Sequence, residues 1–268
     1  MPGSLTVVGT GIQLAAHLTP EARAAIEAAD EVMYLMSDIV ALQSIQRLNP
    51  NVRSLQELYE VGRKRVETYE AMTQTIVASV ERGANVCVAF YGHPGVFAQP
   101  AHEAIRRLRD SGHTARMLPG VSTEDCLFAD LGVDPGALGC QSYEATDFLM
   151  RRPTIDLSAA LVLWQVGVVG NLAYAPEGDT SRLPVLVDYL CGVYPPEHEV
   201  VLYEAAPFPA VDPVVQRLPL TELADGNVTP ATTLYVPPAA ARRIDREMVA
   251  RLGLGGRRED ASGADGSA

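Results

Sequence analysis

Hydrophobic and polar positions in the first 120 residues alternate between short apolar runs and longer amphipathic stretches. Four of the short runs are predicted strands, namely Leu5–Val8, Glu31–Leu35, Asn85–Tyr91 and Thr114–Leu118. The run Asn85–Tyr91 is almost continuously apolar, which is typical of a parallel strand covered by helices on both faces. This alternation predicts an open α/β domain that spans residues 1–120.

Helix signals lie between and after these strands. Thr19-Pro20 predicts a helix start, with threonine as the N-cap and proline at the first helical position. Val66–Arg82 carries one apolar stripe at helical spacing, and Pro100–Ser111 is also predicted to be helical. Ser122 followed by Asp125 predicts a further helix that begins with a capping box.

The pattern changes after residue 120. Strands are predicted at Leu161–Val166, Glu199–Glu204, Val214–Leu218 and Thr232–Val236, with fewer helix signals and many prolines between them. We expect a second α/β domain with a mixed sheet over residues 121–252. Residues 253–268 show no apolar periodicity, so we expect a disordered tail there.

Composition argues against several functional classes. The formal net charge of −12 disfavours nucleic-acid binding, which needs a basic surface. The longest apolar stretch, Ala159–Val169, is shorter than the roughly 20 residues of a membrane-spanning helix, so no membrane association is expected. The four cysteines form no Cys-x-x-Cys pair, and no metal site is expected. Without a secretory signal at the N-terminus, a cytoplasmic protein with reduced thiols is expected.

Glycine-rich loops follow several predicted strands. Gly9-Thr10-Gly11 resembles half of a nucleotide-binding turn, although a plain tight turn is the simpler interpretation. The loop Tyr91–Phe97 lies at the carboxyl end of a buried strand, where open α/β sheets place ligands. Its glycines would let backbone groups approach a ligand closely. An ordinary turn whose aromatic side chains complete the core is the alternative.

The segment from Tyr59 to Tyr69 concentrates two tyrosines and three cations. Arg65 and Tyr69 are four residues apart, so on a helix their side chains face the same way. A guanidinium beside a phenol favours the phenolate and lowers a pKa that is ordinarily about 10. A solvated basic helix start with a surface cation–π contact is the alternative.

Taken in order, these segments resemble the tetrapyrrole methylase superfamily. The resemblance rests on GTG after the first strand, LTPEARAAIEAADEVMY, the strand-end loop and PGVS. Most members carry Gly-Asp-Pro where this chain has Gly92-His93-Pro94. That departure, together with FYGHPGVF, ARMLPGVSTEDCLFADL and YEATDFL, makes residues 5–240 more similar to the borosin peptide α-N-methyltransferases.

The resemblance implies a fold, a cofactor and a set of site residues. It implies two α/β domains in a tetrapyrrole-methylase-like arrangement, with S-adenosylmethionine in the cleft between them and S-adenosylhomocysteine as the product. The positions that match the family's catalytic set are Tyr59, Arg65 and Tyr69. The positions that match cofactor-contacting residues are Tyr91, His93, Val96, Phe97, Ser122, Gln165, Tyr203, Thr232 and Thr233.

The resemblance also implies partners. Family members form homodimers and methylate backbone amides of a ribosomal precursor peptide, which fused members carry as an apolar C-terminal segment. The tail of this chain is polar, so we expect a split-type enzyme that acts on a separate precursor, in a homodimer or in a heterotetramer with two precursor chains. A methylase of a tetrapyrrole or another small molecule is the first alternative. The second is an inert module that binds peptide or cofactor.

Overall fold

The computed structural model describes residues 2–36 and 38–254 and contains two five-stranded sheets. The strands of the first sheet are β1 Ser4–Gly9, β2 Glu31–Leu35, β3 Val52–Ser54, β4 Asn85–Phe90 and β5 Thr114–Met117. They are all parallel and lie in the order β3-β2-β4-β1-β5. The expected parallel sheet is confirmed, and the central strand is buried from Val86 to Phe90.

The second sheet is mixed, as expected. Its strands are β6 Cys140–Glu144, β7 Ala160–Trp164, β8 Glu199–Glu204, β9 Val214–Pro219 and β10 Thr233–Val236, in the order β6-β7-β10-β8-β9. Strands β6 and β7 are parallel, whereas the other neighbours are antiparallel. The two sheets confirm the α/β class, while the domain limit at residue 120 stays a prediction.

The helices cover the sheets and connect their strands. They are α1 Leu14–His17, α2 Pro20–Glu27, α3 Ile39–Leu48, α4 Arg65–Glu81, α5 Gln99–Asp110, α6 Thr123–Leu131, α7 Pro135–Leu138, α8 Ala145–Arg151, α9 Leu183–Cys191 and α10 Arg246–Arg251. Thr19 caps α2 and Ser122 forms a capping box with Asp125 at α6, so both predicted helix starts are confirmed. None of the helices in the described part of the chain is long and apolar enough to cross a membrane.

Two strands escaped prediction because their sequences lack an apolar pattern. Val52–Ser54 is a three-residue edge strand, and Cys140–Glu144 is a half-buried edge strand of mostly polar residues. A third strand is shorter than predicted, since β7 ends at Trp164 and Gln165 turns the chain with a φ of 58°. Most of the predicted tail, from residue 255 to 268, lies outside the described residues.

Register brings three strand ends to one edge of the first sheet. Gly9 of β1 and Leu35 of β2 both pair with Phe90 of β4, so the carboxyl ends of these neighbours are level. Parallel strands of open α/β sheets carry their ligands at this edge. The loops that follow β1, β2 and β4 therefore start side by side.

Candidate active site

Glycines let the loops at this edge pack backbone against backbone. A Cβ on Gly9 would lie 2.3 Å from the carbonyl oxygen of Gly92, and a Cβ on Gly120 would lie 3.1 Å from the same oxygen. The loops after β1 and β4 also exchange backbone hydrogen bonds, since Gly11 N donates to Gly92 O at 3.2 Å and Gly92 N donates to Gly11 O at 3.1 Å. Side chains at these positions would force the loops apart.

A cavity of about 680 Å³ opens over this edge. Its walls come from the loop after β1, the start of α3, the loop after β4 and residues 207–209, which follow β8 of the second sheet. Gln13 ties the two sides together, because its Nε2 donates to the carbonyl oxygen of Ala206 at 3.1 Å. Thr10 and Gly11 line this cavity, so their turn belongs to a site as well as to the fold. The volume lies within the range of small-molecule sites.

A smaller cavity of about 370 Å³ adjoins the first. Its lining includes Arg65, Glu144 and Gln165, so it also lies between the two sheets. Tyr69 and Phe97 line both cavities and form the boundary between them. A methyl donor and an acceptor held in neighbouring cavities would therefore meet beside these two side chains.

The predicted catalytic residues come together at this boundary. Tyr59 and Tyr69 line the larger cavity, while Arg65 lines the smaller one. Burial, followed by the charge and hydrogen bonding of the Tyr69 hydroxyl, raises the pKa of Tyr59 well above its ordinary value. Tyr59 thus keeps its proton and presents a neutral hydroxyl beside Tyr69.

The side chain of Arg65 reaches across to the second sheet. Its Nη1 donates to Gln165 Oε1 at 2.8 Å, and its Nη2 donates to the carbonyl oxygen of Asn171. Within residues 2–36 and 38–254 its side-chain hydrogen bonds are these two, and neither goes to Tyr69. Arg65 therefore contributes its positive charge to the site from a position fixed by the opposite wall.

Four predicted cofactor positions line the cavities. Tyr91, Val96 and Phe97 face the larger one, and Gln165 lies on the wall of the smaller one. Phe97 has a φ of 52°, unusual for a residue with a side chain, and its ring lies 5.3 Å from the ring of Trp164. The strained backbone and the contact with Trp164 direct the Phe97 ring toward the cleft.

The other five predicted cofactor positions lie outside the linings of these two cavities. His93 Nδ1 accepts from Gly95 N at 3.0 Å, and Ser122 caps α6. Tyr203 is fully buried and donates to Asp130 Oδ2 at 2.6 Å. The last two are Thr232, which donates to Glu204 Oε1 at 2.5 Å, and Thr233, which pairs with Tyr203. His93, Ser122 and Thr232 thus make hydrogen bonds in loops or at a helix start, whereas Tyr203 and Thr233 lie in buried strands of the second sheet.

Sequence patterns missed several residues of the site. Tyr174 stacks on Tyr59 with ring centroids 4.4 Å apart and an interplanar angle of 29°. Asn171 accepts from Arg65, and Gln13 bridges the cleft. None of them belongs to a periodic apolar run, and the stretch NLAY carries no motif that would single out Asn171 or Tyr174. The described residues also contain no group of three or more His, Cys, Asp or Glu side chains that could hold a metal ion.

Comparison with known proteins points to one family. Residues 4–224 match the family described as Tetrapyrrole (Corrin/Porphyrin) Methylases. The chain is 42% identical over 257 residues to the methyltransferase/ribosomally synthesized cyclic peptide omphalotin A precursor of Omphalotus olearius, covering 94% of this chain and 62% of that protein. It is 40% identical over 268 residues to the methyltransferase/ribosomally synthesized type I borosin cyclic peptide precursor of Coprinopsis marcescibilis. That match covers 96% of this chain and 68% of that protein.

A third relative and two solved structures complete the comparison. The dendrothelin A precursor of Dendrothele bispora is 41% identical over 256 residues, which cover 94% of this chain and 61% of that protein. The chain thus spans about three fifths of the length of the first relatives that it matches. Uroporphyrin-III-C-methyltransferase from Thermus thermophilus shares the fold with a TM-score of 0.63 at 21% identity, covering 89% of this chain and 94% of that one. Diphthine synthase has a TM-score of 0.63 at 18% identity, covering 89% and 91%.

Proposed function

We propose that this chain methylates backbone amide nitrogens of a peptide. The premise is that it belongs to the tetrapyrrole (corrin/porphyrin) methylases and is an S-adenosylmethionine-dependent methyltransferase. The observation that carries this proposal is the meeting of Tyr59, Arg65 and Tyr69 where the two cavities join. The relatives support it, because their names combine a methyltransferase with a cyclic peptide precursor.

An amide nitrogen needs help before it can accept a methyl group. Its lone pair is delocalised into the carbonyl, so the N–H proton must be removed, or negative charge on the carbonyl oxygen stabilised, as the bond forms. Tyr69 would take the proton on its oxygen when it is in the phenolate form, with the neutral Tyr59 hydroxyl beside it as a hydrogen-bond donor. Arg65 would stabilise the developing negative charge.

The larger cavity suits the methyl donor. S-adenosylmethionine supplies a methyl group on a positively charged sulfonium, which aromatic faces and carboxylates attract. Tyr91, Phe97 and Asp38 line this cavity and offer both kinds of group. Thr10 and Gly11, from the glycine loop after β1, line the same cavity. We assign Tyr91, Val96 and Phe97 as contacts of the cofactor and Gln165 as a contact from the adjoining cavity. The other five predicted cofactor positions would shape the surrounding structure.

We propose that the peptide is a separate molecule. We further propose a homodimer that binds two peptide chains in the cytoplasm. Val61 and Val66, on the stretch between the second and fourth strands of the first sheet, are 81% and 58% exposed and offer apolar surface for such contacts.

Mass spectrometry of methylated peptides tests the function. The purified protein would be incubated with S-adenosylmethionine and a panel of synthetic peptides with apolar segments, and in a parallel arm with a tetrapyrrole. We expect the mass of a peptide to rise in steps of one methylene, with fragment ions that place the methyl groups on backbone nitrogens. Tyr69→Phe should lower the rate by about 100- to 10,000-fold, the usual range for loss of an acid–base group.

Tyr189→Phe is the matched control, since it removes the hydroxyl of a tyrosine in α9 whose ring packs on Phe148 away from both cavities. It should methylate at the wild-type rate. Transfer to the tetrapyrrole alone, or methyl groups on peptide side chains, would refute the proposal. Equal rates for Tyr69→Phe and Tyr189→Phe would refute the catalytic assignment and leave the substrate class standing.

A further inference from the structure

Residues Asn171–Tyr174, which follow β7 of the second sheet, form a strap. The strap lies along residues Tyr59–Arg65, the segment before α4 that begins the predicted catalytic set. Tyr174 N donates to Arg63 O at 3.0 Å, and Gly62 N donates to Tyr174 O at 3.3 Å. Arg65 N donates to Leu172 O at 3.0 Å. These three bonds pair the strap with residues Gly62–Arg65, which follow Tyr59, so the start of α4 is held by residues that follow the second sheet's β7.

Tyr174 places its ring directly on a catalytic residue. It stacks on Tyr59 with centroids 4.4 Å apart, a separation at which offset aromatic rings attract each other. Its hydroxyl accepts from Gln56 Nε2 at 3.4 Å. Gln56 begins the short 3-10 helix Gln56–Leu58 that precedes Tyr59. Tyr174 thus touches both the ring of Tyr59 and the turn from which Tyr59 projects.

The strap is itself braced. Asn171 Nδ2 donates to Asp179 Oδ2 at 3.0 Å, and Asn171 Oδ1 accepts from Ala173 N at 2.9 Å. These bonds fix the turn that begins the strap, while the carbonyl of Asn171 holds Arg65. The backbone that carries the Tyr174 ring is therefore fixed by hydrogen bonds and has little freedom to move.

We propose that Tyr174 is a positioning residue, whose ring fixes the orientation of Tyr59 and so lets the second sheet set the geometry of the catalytic tyrosine pair. The inference rests on the proposed function for its effect on turnover. Without the stacked ring, Tyr59 gains alternative rotamers and its hydroxyl leaves Tyr69 for part of the time. A misplacement of about 1 Å in a catalytic group can cost about 100-fold in rate.

Two variants separate the ring from the hydroxyl. Tyr174→Phe keeps the stacked ring and should retain most of the activity. Tyr174→Leu removes the ring but keeps the backbone bonds of the strap, and should lower kcat by about 10- to 100-fold. The affinity for S-adenosylmethionine, the KM for the peptide and the melting temperature should stay close to those of the wild type. Tyr189→Leu, which removes a ring packed edge-on against Phe148, serves as the control and should leave kcat unchanged.

A double-mutant cycle distinguishes positioning from a general structural role. If Tyr174 acts through Tyr59, Tyr174→Leu should cause little further loss of kcat in a Tyr59→Leu background. Additive losses in the double variant, or wild-type kcat in Tyr174→Leu, would overturn the inference. So would a loss of kcat in Tyr174→Phe as large as that in Tyr174→Leu.

Crystal structures supply a readout that needs no turnover. The Tyr59 ring should change orientation or occupy several in Tyr174→Leu, and should keep its orientation in Tyr174→Phe. An unchanged Tyr59 ring in the leucine variant would overturn the inference. If the wild type methylates no peptide, the proposed function fails, and these structures still decide whether Tyr174 positions Tyr59.

Discussion

Replacing Arg65 by lysine keeps the positive charge and changes its geometry. The guanidinium donates to two acceptors at once, Gln165 Oε1 at 2.8 Å and the carbonyl oxygen of Asn171, and both lie on the chain that follows β7 of the second sheet. A lysine ammonium is a point charge on a flexible stem and lacks the planar fork that matches two fixed acceptors. We expect Arg65→Lys to keep one of these bonds and to lose the other.

The size of the effect follows from the position of the charge. Losing one of the two bonds leaves the cation free to move by about 1 Å, and a misplacement of that size in a catalytic group can cost about 100-fold in rate. The single-turnover rate of methylation should therefore fall by about 10- to 100-fold. Arg63→Lys is the matched control two residues away. The guanidinium of Arg63 forms ion pairs with Glu60 at 3.3 Å and Glu67 at 3.8 Å, and both carboxylates are largely exposed. Exposed ion pairs contribute at most about 1 kcal/mol to stability.

Single-turnover methylation of a peptide substrate, with the affinity for S-adenosylmethionine measured in parallel, tests this reasoning. The cofactor affinity should change little in either variant, because the effect arises in the charge that Arg65 presents to the reacting amide. An Arg65→Lys protein as active as Arg63→Lys would show that the guanidinium fork has no catalytic importance. Equal and large losses in both variants would point to a general disturbance of the helix start rather than to the site.

Two further predictions concern the fold around the site. Gly9→Ala should lower the free energy of unfolding by about 1–3 kcal/mol, because its Cβ would meet the carbonyl oxygen of Gly92 at 2.3 Å. The control Gly136→Ala, whose Cβ meets only the movable Asp134 side chain at 3.2 Å, should melt near the wild-type temperature. Similar melting temperatures for both variants would refute the clash. Burial raises the pKa of Tyr194 to about 12, so above about pH 10 the unfolded chain releases this proton while the folded protein still holds it. The free energy of unfolding should therefore fall between about pH 10 and pH 12. Melting curves at alkaline pH should show a shallower fall for Tyr194→Phe than for the wild type, and identical pH dependences would contradict the prediction.

Secondary structure was predictable wherever burial on one or both faces leaves a mark in the sequence. The run Asn85–Phe90 is apolar because helices cover both faces of the central strand, and the cap at Ser122 is a local motif. Cys140–Glu144 left no such mark, since a half-buried edge strand tolerates polar side chains on both faces. Its place depends on pairing with β7, which is a long-range contact.

The same distinction applies to the site. Tyr59, Arg65 and Tyr69 lie within eleven residues, so a helix and the turn before it can bring them together, but the resemblance to a family motif, rather than their spacing, singled them out. Tyr174 lies more than a hundred residues further along and reaches Tyr59 only through the packing of one sheet against the other. A single sequence contains no signal for that kind of contact.

The three predicted catalytic residues come from the first half of the chain, but the second half orients two of them. Tyr69 is positioned by α4, which packs on the first sheet, whereas Tyr59 and Arg65 take their orientation from Tyr174, Asn171 and Gln165. A change in the packing of the two sheets would move Tyr59 and Arg65 relative to Tyr69. Gln13, which bridges to the second sheet beside the larger cavity, couples that packing to the loop after β1. The larger cavity and the orientation of Tyr59 and Arg65 therefore depend on the same packing of one sheet against the other.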